Sequence, residues 1–401
     1  MAADVFGGVA TTALSLRHAP GVDQILSVEY SPFALFAGNT KLHWPWLEPK
    51  RLRRAVEHLF AYPIDTSVRI PSLAAFDNEE IFSENVLAGL LSAREAVRSA
   101  DLRARERDFF LLGLAAVVET ASGVMKDGRA LRILRGRKRT YTSLAPRCPK
   151  APTGDRVRDL LRDQWTAMIE DVEALAGVRA IAKGTQTVHL RGDARELGSV
   201  KRSPRRLAFA EASVGWSCFS PPYLNCIDYS EVYKLELWML EFVQTPEQFR
   251  ELRLGTLRSH PSVDFPPRGY LAGVPGRAVE LIAAIGLFVE GHGLRPSEAR
   301  MISHYFEDMY RVFSQQLWVL RPGGTFACVV ANSTFSRRIK LKSGPDEMWR
   351  LPILTDVLLA HLARAAGFVD VELWTARDLR PRNVRGGAAR ESVVVGRKPH
   401  E

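Results

Sequence analysis

The residues best suited to chemistry form one short run, Ser220-Pro221-Pro222-Tyr223, between an apolar stretch and a strongly helical segment. Neither proline can donate a ladder hydrogen bond, so a strand must end here, and both prolines stiffen the backbone. The carbonyl of Pro221 is left facing outward without a neighbouring N–H group. A rigid acceptor, a serine hydroxyl and an aromatic ring together predict a site that binds a flat polar group.

A nucleobase with an exocyclic amine is one flat polar group that fits this run. The lone pair of such an amine is delocalised into the ring, so the nitrogen is planar and weakly nucleophilic. The Ser220 hydroxyl and the Pro221 carbonyl could accept its two hydrogens and aim its lone pair outward, while Tyr223 stacks on the ring. The alternative is a strand-ending turn with a buried tyrosine.

A second motif, DVFGGVATT at residues 4–12, is a glycine turn that leads into a predicted helix. Glycines let the backbone approach a ligand closely, and a helix N-terminus offers free N–H groups. Glu29 ends a second predicted strand about twenty residues later, where a carboxylate can accept hydrogen bonds from ribose hydroxyls. The alternative is an ordinary turn with a surface glutamate. The residues predicted to hold such a ligand are Asp4, Phe6, Gly7, Gly8, Thr11, Thr12 and Glu29.

Further polar residues follow two other predicted strands. Asp193 comes directly after TVHLRG, where it either caps the next helix or accepts a hydrogen bond from an adenine amino group. Asn332 and Ser333 follow TFACVVA, where they either line the same crevice or only end the strand. The sequence leaves both pairs of alternatives open.

The charge of the chain favours an anionic partner. Its 401 residues include 55 Lys or Arg and 45 Asp or Glu, which gives a net charge of +10. Nucleic acid is the simplest such partner, although an arginine-rich proteome would produce the same surplus. One basic stretch could neutralise phosphates or form a solvated loop. Its basic residues are Lys126, Arg129, Arg132, Arg135, Arg137, Lys138 and Arg139.

The cysteines and the apolar segments limit the class of protein further. None of Cys148, Cys218, Cys226 and Cys328 stands in a C-x-x-C pair, so we expect reduced thiols without a zinc site or disulfide framework. No apolar stretch is long enough to span a membrane, and the N-terminus lacks the basic region of a signal peptide. We therefore expect a cytoplasmic protein with no membrane partner.

The elements that must position these motifs follow an α/β pattern with two interruptions. Residues 1–49 predict a glycine turn, a helix and a strand, which is half of a βαβ unit. Residues 50–185 have helical periodicity and predict an insertion that could recognise DNA. Residues 186–243 return to the α/β pattern and contain SPPY. Residues 244–298 predict a second insertion with one helix, and 299–401 predict a helix, a tight RPGG turn, a strand, a helix and an antiparallel strand pair.

Together these motifs resemble those of the S-adenosylmethionine-dependent DNA amino-methyltransferases. DVFGGVATT resembles the D-P-F-x-G-x-G-T-T cofactor loop, and Glu29 resembles the acid after the second strand. GDAR, with Asp193, resembles the adenine-side acid, and SPPY resembles the catalytic tetrapeptide. LRPGG and RESVVVGRK resemble the late turn and the closing hairpin. The resemblance covers the sheet-forming parts of the chain, and SPPY with the cofactor loop is its most specific component.

The resemblance implies an open, doubly wound, mostly parallel Rossmann-like methyltransferase sheet with helical insertions, and a site beyond the carboxyl ends of its strands. It also implies methyl transfer from S-adenosyl-L-methionine to the exocyclic amine of a flipped DNA base, with no metal. Serine at the first tetrapeptide position is usual for N4 of cytosine, so this atom is favoured over N6 of adenine. Methylation at cytosine C5 is disfavoured, because it needs a nucleophilic cysteine after proline, whereas Cys148 precedes Pro149.

The chain departs from the family pattern at two loop positions and at its start. Val5 replaces the family proline, and Ala10 replaces a loop glycine. Alanine is tolerated at position 10 if its φ is negative. Only Met1–Ala3 precede Asp4, so we expect a short first strand, no upstream cofactor cover and a chain that lacks residues at its start or begins at a late initiator. The alternatives left open are an N6-adenine DNA methyltransferase, an RNA amino-methyltransferase and a truncated, non-catalytic DNA-binding relative. A cognate restriction nuclease, as in restriction-modification systems, is a further open partner.

Overall fold

The computed structural model describes residues 1–61, 68–73, 75–76, 81–126, 131–133, 154–261, 265–291, 295–339, 347–379 and 389–400. The strands are β1 (Ala2–Asp4), β2 (Gln24–Glu29), β3 (Val124–Lys126), β4 (Leu131–Ile133), β5 (Gln186–Arg191), β6 (Lys201–Ser203), β7 (Arg206–Leu207), β8 (Val214–Phe219), β9 (Leu320–Ala331), β10 (Ser333–Ile339), β11 (Glu347–Ile353), β12 (Val369–Leu379) and β13 (Ala389–Arg397). The helices are α1 (Thr11–Leu16), α2 (Pro32–Leu42), α3 (Pro49–Phe60), α4 (Glu84–Ser99), α5 (Ala104–Ala121), α6 (Gly154–Ala174), α7 (Arg179–Gly184), α8 (Tyr229–Val232), α9 (Lys234–Met239), α10 (Pro246–Gly255), α11 (Arg277–Gly291), α12 (Pro296–Val319) and α13 (Thr355–Ala365).

Seven of these strands form one sheet in the order β12-β13-β9-β8-β1-β2-β5. The strands from β9 to β5 pair in parallel, and β13 lies antiparallel between β9 and β12. The chain first builds outward from β1 to β2 and β5, and then continues on the other side of β1 with β8 and β9. The predicted doubly wound, mostly parallel α/β sheet is confirmed, and its strand order reverses at β1, where open α/β sheets bind ligands.

The strand at this reversal, β1, has 3 residues, and all of them are buried. It pairs with β2 on one side and with β8 on the other. A hydrogen bond from the Gly215 N–H to the Met1 carbonyl (3.0 Å) extends the pairing with β8. The short first strand is therefore held by neighbours on both sides, and it places Asp4 at the carboxyl edge of the sheet.

The described residues form two large apolar cores. The first lies between the sheet and helices α12 and α13, where the ring centroid of Phe326 is 5.2 Å from Phe313 and 4.6 Å from Phe368. The second lies among α2 to α6 and α9, around Trp165 and Trp238. The segment predicted as a helical insertion, 50–185, supplies most of the second core and adds the short β3–β4 hairpin.

The segment 244–298 contains two described helices, α10 and α11, rather than the one expected. A capping box starts α10: the Thr245 hydroxyl accepts from the Gln248 N–H (3.3 Å), and the Gln248 side chain accepts from the Thr245 N–H (3.4 Å). With Pro246 in the first turn, the letters TPEQ carry this signal in the sequence. The RPGG residues lie within β9, where they form an irregularity: Gly323 has a φ of 72°, and the register against β8 shifts between Leu320 and Thr325.

A buried network of two arginines and three carboxylates connects α12 to the loops at the carboxyl edge of the sheet. Arg258 donates to Glu307 Oε2 (2.6 Å) and to Asp308 Oδ1 (2.8 Å). Arg195 donates to the other Asp308 oxygen (2.8 Å) and to both oxygens of Asp193. Buried charges persist only when they are paired and hydrogen-bonded, so these five side chains, here called the Asp308 network, depend on one another.

Replacing Asp308 with alanine should lower the free energy of unfolding by about 3–5 kcal/mol, because it leaves two buried guanidinium groups without their shared partner. Urea unfolding followed by circular dichroism measures the loss. The control is E173A, which breaks an exposed two-bond pair with Arg53 and should lower the free energy of unfolding far less, because solvent screens that pair. Equal losses in the two variants would contradict the importance of the Asp308 network.

Candidate functional site

A cavity of about 370 Å³ opens beyond the carboxyl ends of β1, β2, β5 and β8. It brings together every residue predicted to bind a nucleotide-type ligand. They are Asp4, Phe6, Gly7, Gly8, Thr11, Thr12, Glu29 and Asp193. Ser220 and Pro222 of the tetrapeptide also line the cavity, whereas Pro221 and Tyr223 are not among the described residues of its wall. Four strand ends thus place two separate sequence motifs around one space.

The two glycines of the first loop are needed for different reasons. The Gly7 N–H donates to the Val28 carbonyl (2.8 Å), and a Cβ on Gly7 would lie 2.0 Å from Ser27 Oγ and 2.9 Å from His189 Cε1. No side chain fits there. Gly8 has a φ of +51°, and a Cβ on it would meet no atom within 4 Å, because it faces open space. The loop therefore packs closely against β2 and β5 at Gly7, and at Gly8 its backbone is accessible to a ligand.

His189 on β5 packs against this loop at Gly7. No local signal in the sequence indicated this role. Its Nδ1 lies 2.9 Å from Ser27 Oγ, and its ring leaves no room for a Cβ on Gly7 or on Gly38. Burial lowers the pKa of His189 to about 4, so the imidazole is neutral at pH 7. It acts here as an uncharged packing and hydrogen-bonding group.

Ala10 has a positive φ, so the condition under which the sequence analysis would allow alanine here, a negative φ, is not met. Its φ is 64° and its ψ is 30°, in the left-handed region, at the N-cap of α1. That conformation costs a non-glycine residue about 1–2 kcal/mol. Its N–H donates to the Gly7 carbonyl (2.7 Å) and its carbonyl accepts from the Leu14 N–H (2.9 Å), so the loop keeps a closed shape despite the alanine.

Asp4 is a buried carboxylate at the end of β1. It accepts a hydrogen bond from the Phe6 N–H (3.0 Å) and one from the Thr12 side chain. Burial outweighs these two bonds and raises the pKa of Asp4 to about 6. A positively charged ligand in the cavity would stabilise the ionised form of this poorly solvated carboxylate.

Glu29 ends β2 and is bound by two backbone N–H groups. Its Oε2 accepts from the Gly8 N–H (2.8 Å), and its Oε1 accepts from the Ser31 N–H (2.7 Å). Burial, and to a lesser extent the neighbouring charge of Asp4, raise the pKa of Glu29 despite these bonds. Each oxygen retains lone-pair capacity, so the carboxylate can still accept hydrogen bonds from hydroxyl groups in the cavity.

Asp193 lines the cavity while Arg195 holds its carboxylate. The Nε of Arg195 lies 2.9 Å from Asp193 Oδ1, and its Nη2 lies 2.7 Å from Oδ2. The next helical element is a single 3₁₀ turn, Leu197–Ser199, whose N-cap is Glu196. The helix-capping alternative for Asp193 is therefore wrong, and its carboxylate is a fixed acceptor at the rim of the cavity.

The tetrapeptide follows the end of β8 and is connected to β13. The exposed Ser220 hydroxyl donates to the Tyr223 hydroxyl over a long 3.4 Å, and the Tyr223 hydroxyl donates to Glu391 Oε1 at 2.7 Å. Burial raises the pKa of Tyr223, so its phenol stays neutral. Arg377 holds the other oxygen of Glu391 (2.6 Å). Tyr223 is thus anchored by its hydroxyl, and Ser220 remains weakly engaged at the cavity.

Asn332 ends β9 and caps the start of α13. Its side-chain oxygen accepts from the Asp356 N–H (3.1 Å), and its own N–H donates to the Arg390 carbonyl (3.2 Å). Neither Asn332 nor Ser333 is among the described residues that line the cavity. The strand-ending alternative fits these two residues.

Two tyrosines after SPPY line the cavity and were not predicted. Tyr229 and Tyr233 are stacked, with ring centroids 6.3 Å apart. Asp228 starts the helix by accepting from the Ser230 N–H (3.1 Å). The sequence does carry the signal, because an Asp before a helical run caps it and residues four apart share one helix face.

The remaining wall is the segment 252–260, which carries no recognisable motif. Arg195 holds it by donating to the carbonyls of Gly255 (2.7 Å) and Thr256 (3.3 Å). The Asn225 N–H, just after SPPY, donates to the Ser259 carbonyl (2.7 Å). The wall is therefore fixed from both sides of the cavity, through the Asp308 network and through the SPPY loop.

Within that wall, His260 forms a polar cluster with residues of α8 and α10. Its Nδ1 lies 3.3 Å from Asp228 Oδ2, which also accepts from Arg253 (2.7 Å). Burial lowers the pKa of His260, against the opposing effect of Asp228. The cluster places an imidazole in the lining of the cavity.

The predicted basic stretch is only partly described. Arg129, Arg135, Arg137, Lys138 and Arg139 lie outside the described residues, as does Cys148, and Arg132 lies in β4. Lys126 forms ion pairs with Glu236 and, at 3.6 Å, with Glu119, and its Nζ lies 5.4 Å from the ring centroid of Tyr233. The protein's own carboxylates therefore already neutralise the charge of Lys126.

The described cysteines are unbridged thiols. Burial raises the pKa of Cys218 to about 11 and also raises that of Cys328, so neither is a ready nucleophile. In the ranges that the structure describes, no three His, Cys, Asp or Glu side chains gather into a metal-binding group. No helix in those ranges combines the length and apolar character that crossing a bilayer requires.

No protein-family model and no curated protein matches the chain. Two crystal structures of a Thermus thermophilus protein, described as a "Putative DNA Modification Methylase", are similar to it. The first is 16% identical over 52% of each chain, with a TM-score of 0.22. The selenomethionine derivative is 16% identical over 31% of this chain and 51% of the other, with a TM-score of 0.16. The match spans about half of the solved chains, and at these TM-scores it carries no argument about function.

The raised pKa of Asp4 predicts a stability that falls as the pH rises. The folded protein holds a proton on Asp4 up to about pH 6, whereas the unfolded chain loses it near 3.8, so ionisation opposes folding above this window. Asn at position 4 cannot ionise. The free energy of unfolding of D4N minus that of the natural chain should therefore rise by about 2 kcal/mol between pH 4 and pH 7.

Denaturant unfolding at several pH values measures this difference. The control is D23N, at an exposed position before β2, where no burial cost is removed. A D4N difference that stays constant from pH 4 to pH 7 would contradict a buried, ionising Asp4.

Proposed function

We propose that the protein transfers a methyl group from S-adenosyl-L-methionine to the exocyclic amine of a flipped base in DNA, with N4 of cytosine as the favoured atom. One observation carries the proposal: a single cavity at the carboxyl edge of the sheet joins the glycine loop and Glu29 to Ser220 of SPPY. The proposed cofactor loop and the proposed amine-binding run, which are far apart in sequence, thereby share one cavity, as a group transfer requires.

The residues of the cavity fit S-adenosylmethionine. The backbone at Gly7 and Gly8 leaves space that a side chain would fill, next to the first turn of α1. Glu29 would accept the ribose hydroxyls, and Asp193 would accept the adenine amino group. The Asp4 carboxylate is buried and poorly solvated when ionised, and it would lie near the positive charges of the cofactor. When bound, the cofactor supplies an activated methyl group on a sulfonium, and the protein supplies alignment.

Ser220 and Pro221 would act on the target amine. The Ser220 hydroxyl is exposed at the cavity and makes only a 3.4 Å contact, so a base amine can replace that contact at little cost. The proposed mechanism needs the Pro221 carbonyl as second acceptor and the Tyr223 ring as a stacking face, with the Tyr223 hydroxyl fixed by Glu391. Flipping the base out of a duplex costs a few kcal/mol, which stacking and the two hydrogen bonds offset.

Duplex DNA is the proposed partner because of the net charge of +10. We propose the segments 50–185 and 244–298 as the walls of a DNA cleft on either side of the sheet edge. An RNA substrate, an N6-adenine target and a non-catalytic DNA-binding role are the competing outcomes. A cognate restriction nuclease and a cytoplasmic location remain predictions from the sequence.

Titration calorimetry of the purified chain with S-adenosylmethionine tests the cofactor site. The natural chain should bind with micromolar affinity, and E29A should bind about 10- to 100-fold more weakly, because hydrogen bonds to a charged group are lost. The control is E48A, at an exposed carboxylate of the α3 N-cap, which should leave the affinity unchanged. No binding by a folded natural chain would refute the cofactor assignment.

Replacing Ser220 with alanine tests the chemistry. Turnover should fall by about 100-fold, as expected for loss of one oriented hydrogen bond in the transition state, while cofactor affinity stays within about 2-fold. Labelled-methyl transfer to duplex DNA and to RNA measures turnover, and mass analysis of the nucleosides distinguishes N4-methylcytosine from N6-methyladenine. S99A, on the surface of α4, is the matched control. Undiminished turnover of S220A would rule out the proposed role of SPPY.

A further inference from the structure

The β6–β7 hairpin is a strongly basic surface feature outside the predicted basic stretch. Its sequence, KRSPRR followed by leucine, places four basic side chains within six residues. They are Lys201, Arg202, Arg205 and Arg206. Lys201, Arg205 and Arg206 are exposed and Arg202 is half-buried, and Pro204 lies in the exposed turn between the strands.

Nothing in the described part of the chain neutralises these four charges. They form no ion pair, side-chain hydrogen bond or ring contact there, whereas many other arginines, such as Arg53, Arg94 and Arg377, bind carboxylates. Like charges on one small hairpin repel each other, and an anion that binds them relieves this repulsion. The hairpin therefore presents unneutralised positive charge to solvent and is suited to bind an anion.

The base of the hairpin is attached to the wall of the cavity. The Ala208 N–H donates to the Val200 carbonyl (2.8 Å), which closes the hairpin. Val200 packs against Gly192 so closely that a Cβ there would lie 2.6 Å from Val200 Cγ2 and 2.9 Å from Val28 Cγ1. Gly192 and Val28 both line the cavity. The charged strands thus project from a rigid base beside the proposed active site.

The short segment that connects the cavity wall to the hairpin limits the distance between the cavity and the first of these charges. Arg195 lines the cavity, and the six steps of chain from it to Lys201 span at most about 20 Å. One turn of B-DNA is about 34–36 Å long and carries a phosphate charge about every 1.7 Å of its axis. The start of the hairpin therefore lies less than one helical turn of DNA from the cavity, a length over which a duplex with its flipped base in the cavity carries many phosphates.

We propose that the β6–β7 hairpin binds the phosphates of the DNA duplex that flanks the flipped base. This inference rests on the proposed function and adds a contact surface to it. Arginine side chains bind phosphate oxygens through two parallel hydrogen bonds, and lysine adds a point charge. Such contacts hold the duplex in place while the base leaves the stack, and they carry no sequence information. The hairpin thus determines affinity rather than the recognition sequence.

The salt dependence of duplex binding tests the hairpin. Fluorescence anisotropy with a labelled DNA duplex, between 50 and 200 mM potassium chloride, gives the slope of log Kd against log salt, which changes by about 0.9 for each phosphate contact. R205Q/R206Q should reduce that slope by about 1.8 and weaken binding by about 10-fold or more. R205K/R206K, which keeps both charges, should retain most of the slope.

The matched control is R321A/K398A, which removes the same charge at the opposite, amino edge of the sheet. Arg321 is in the first residues of β9, and Lys398 follows β13 beside it. Its slope should equal that of the natural chain. Equal reductions in R205Q/R206Q and the control would overturn the proposal, because they would reflect net charge alone. Binding to RNA with indifference to duplex DNA would overturn it as well.

Failure of the proposed function can be distinguished from failure of the hairpin proposal. If the natural chain binds no S-adenosylmethionine but R205Q/R206Q still loses about 1.8 of the salt slope, the hairpin binds DNA in a protein without this methyl transfer. If methyl transfer occurs and the slope does not change, the enzyme holds DNA elsewhere and the hairpin proposal is wrong. Calorimetry with S-adenosylmethionine should give the same affinity for R205Q/R206Q as for the natural chain.

Discussion

The shared carboxylate of Asp308 holds the candidate site together. One of its oxygens binds Arg195, from the loop after β5, and the other binds Arg258, from the segment after α10. Because all three charged groups are buried, none is stable without the others. Arg195 in turn holds the Gly255 carbonyl of the cavity wall. A single position on α12 therefore determines where two loops from distant parts of the chain meet the sheet.

Close backbone packing shapes another part of the cavity wall, the glycine loop after β1. Gly7 approaches Ser27 and His189 too closely for any side chain, and Ala10 accepts a left-handed backbone to close the same loop. The wall of the cavity thus includes a tightly packed loop, a segment held by a charge network, and Ser220 and Pro222 of SPPY.

Much of the fold and part of the site could be predicted from local patterns. The alternation of strands and helices predicts the doubly wound sheet, because parallel strands need helical crossovers. Glycine spacing and a strand-ending acid place Gly7, Gly8 and Glu29 at one sheet edge, and two prolines end β8 after Phe219. The helix α10 and the pair Tyr229 and Tyr233 were missed although their signals, a capping box and a four-residue spacing, stand in the sequence.

The sequence by itself determined the local chemistry: which backbone stretches could bend, where strands ended, and which side chains could accept hydrogen bonds. Only the tertiary structure decided which charges meet. Arg195 and Asp308 are 113 residues apart, and Tyr223 and Glu391 are 168 apart. Likewise, Lys126 is engaged by Glu236, while the hairpin arginines remain without a described partner. The physical reason is that ion pairs and burial depend on distance in space, which residue types and short-range spacing do not specify.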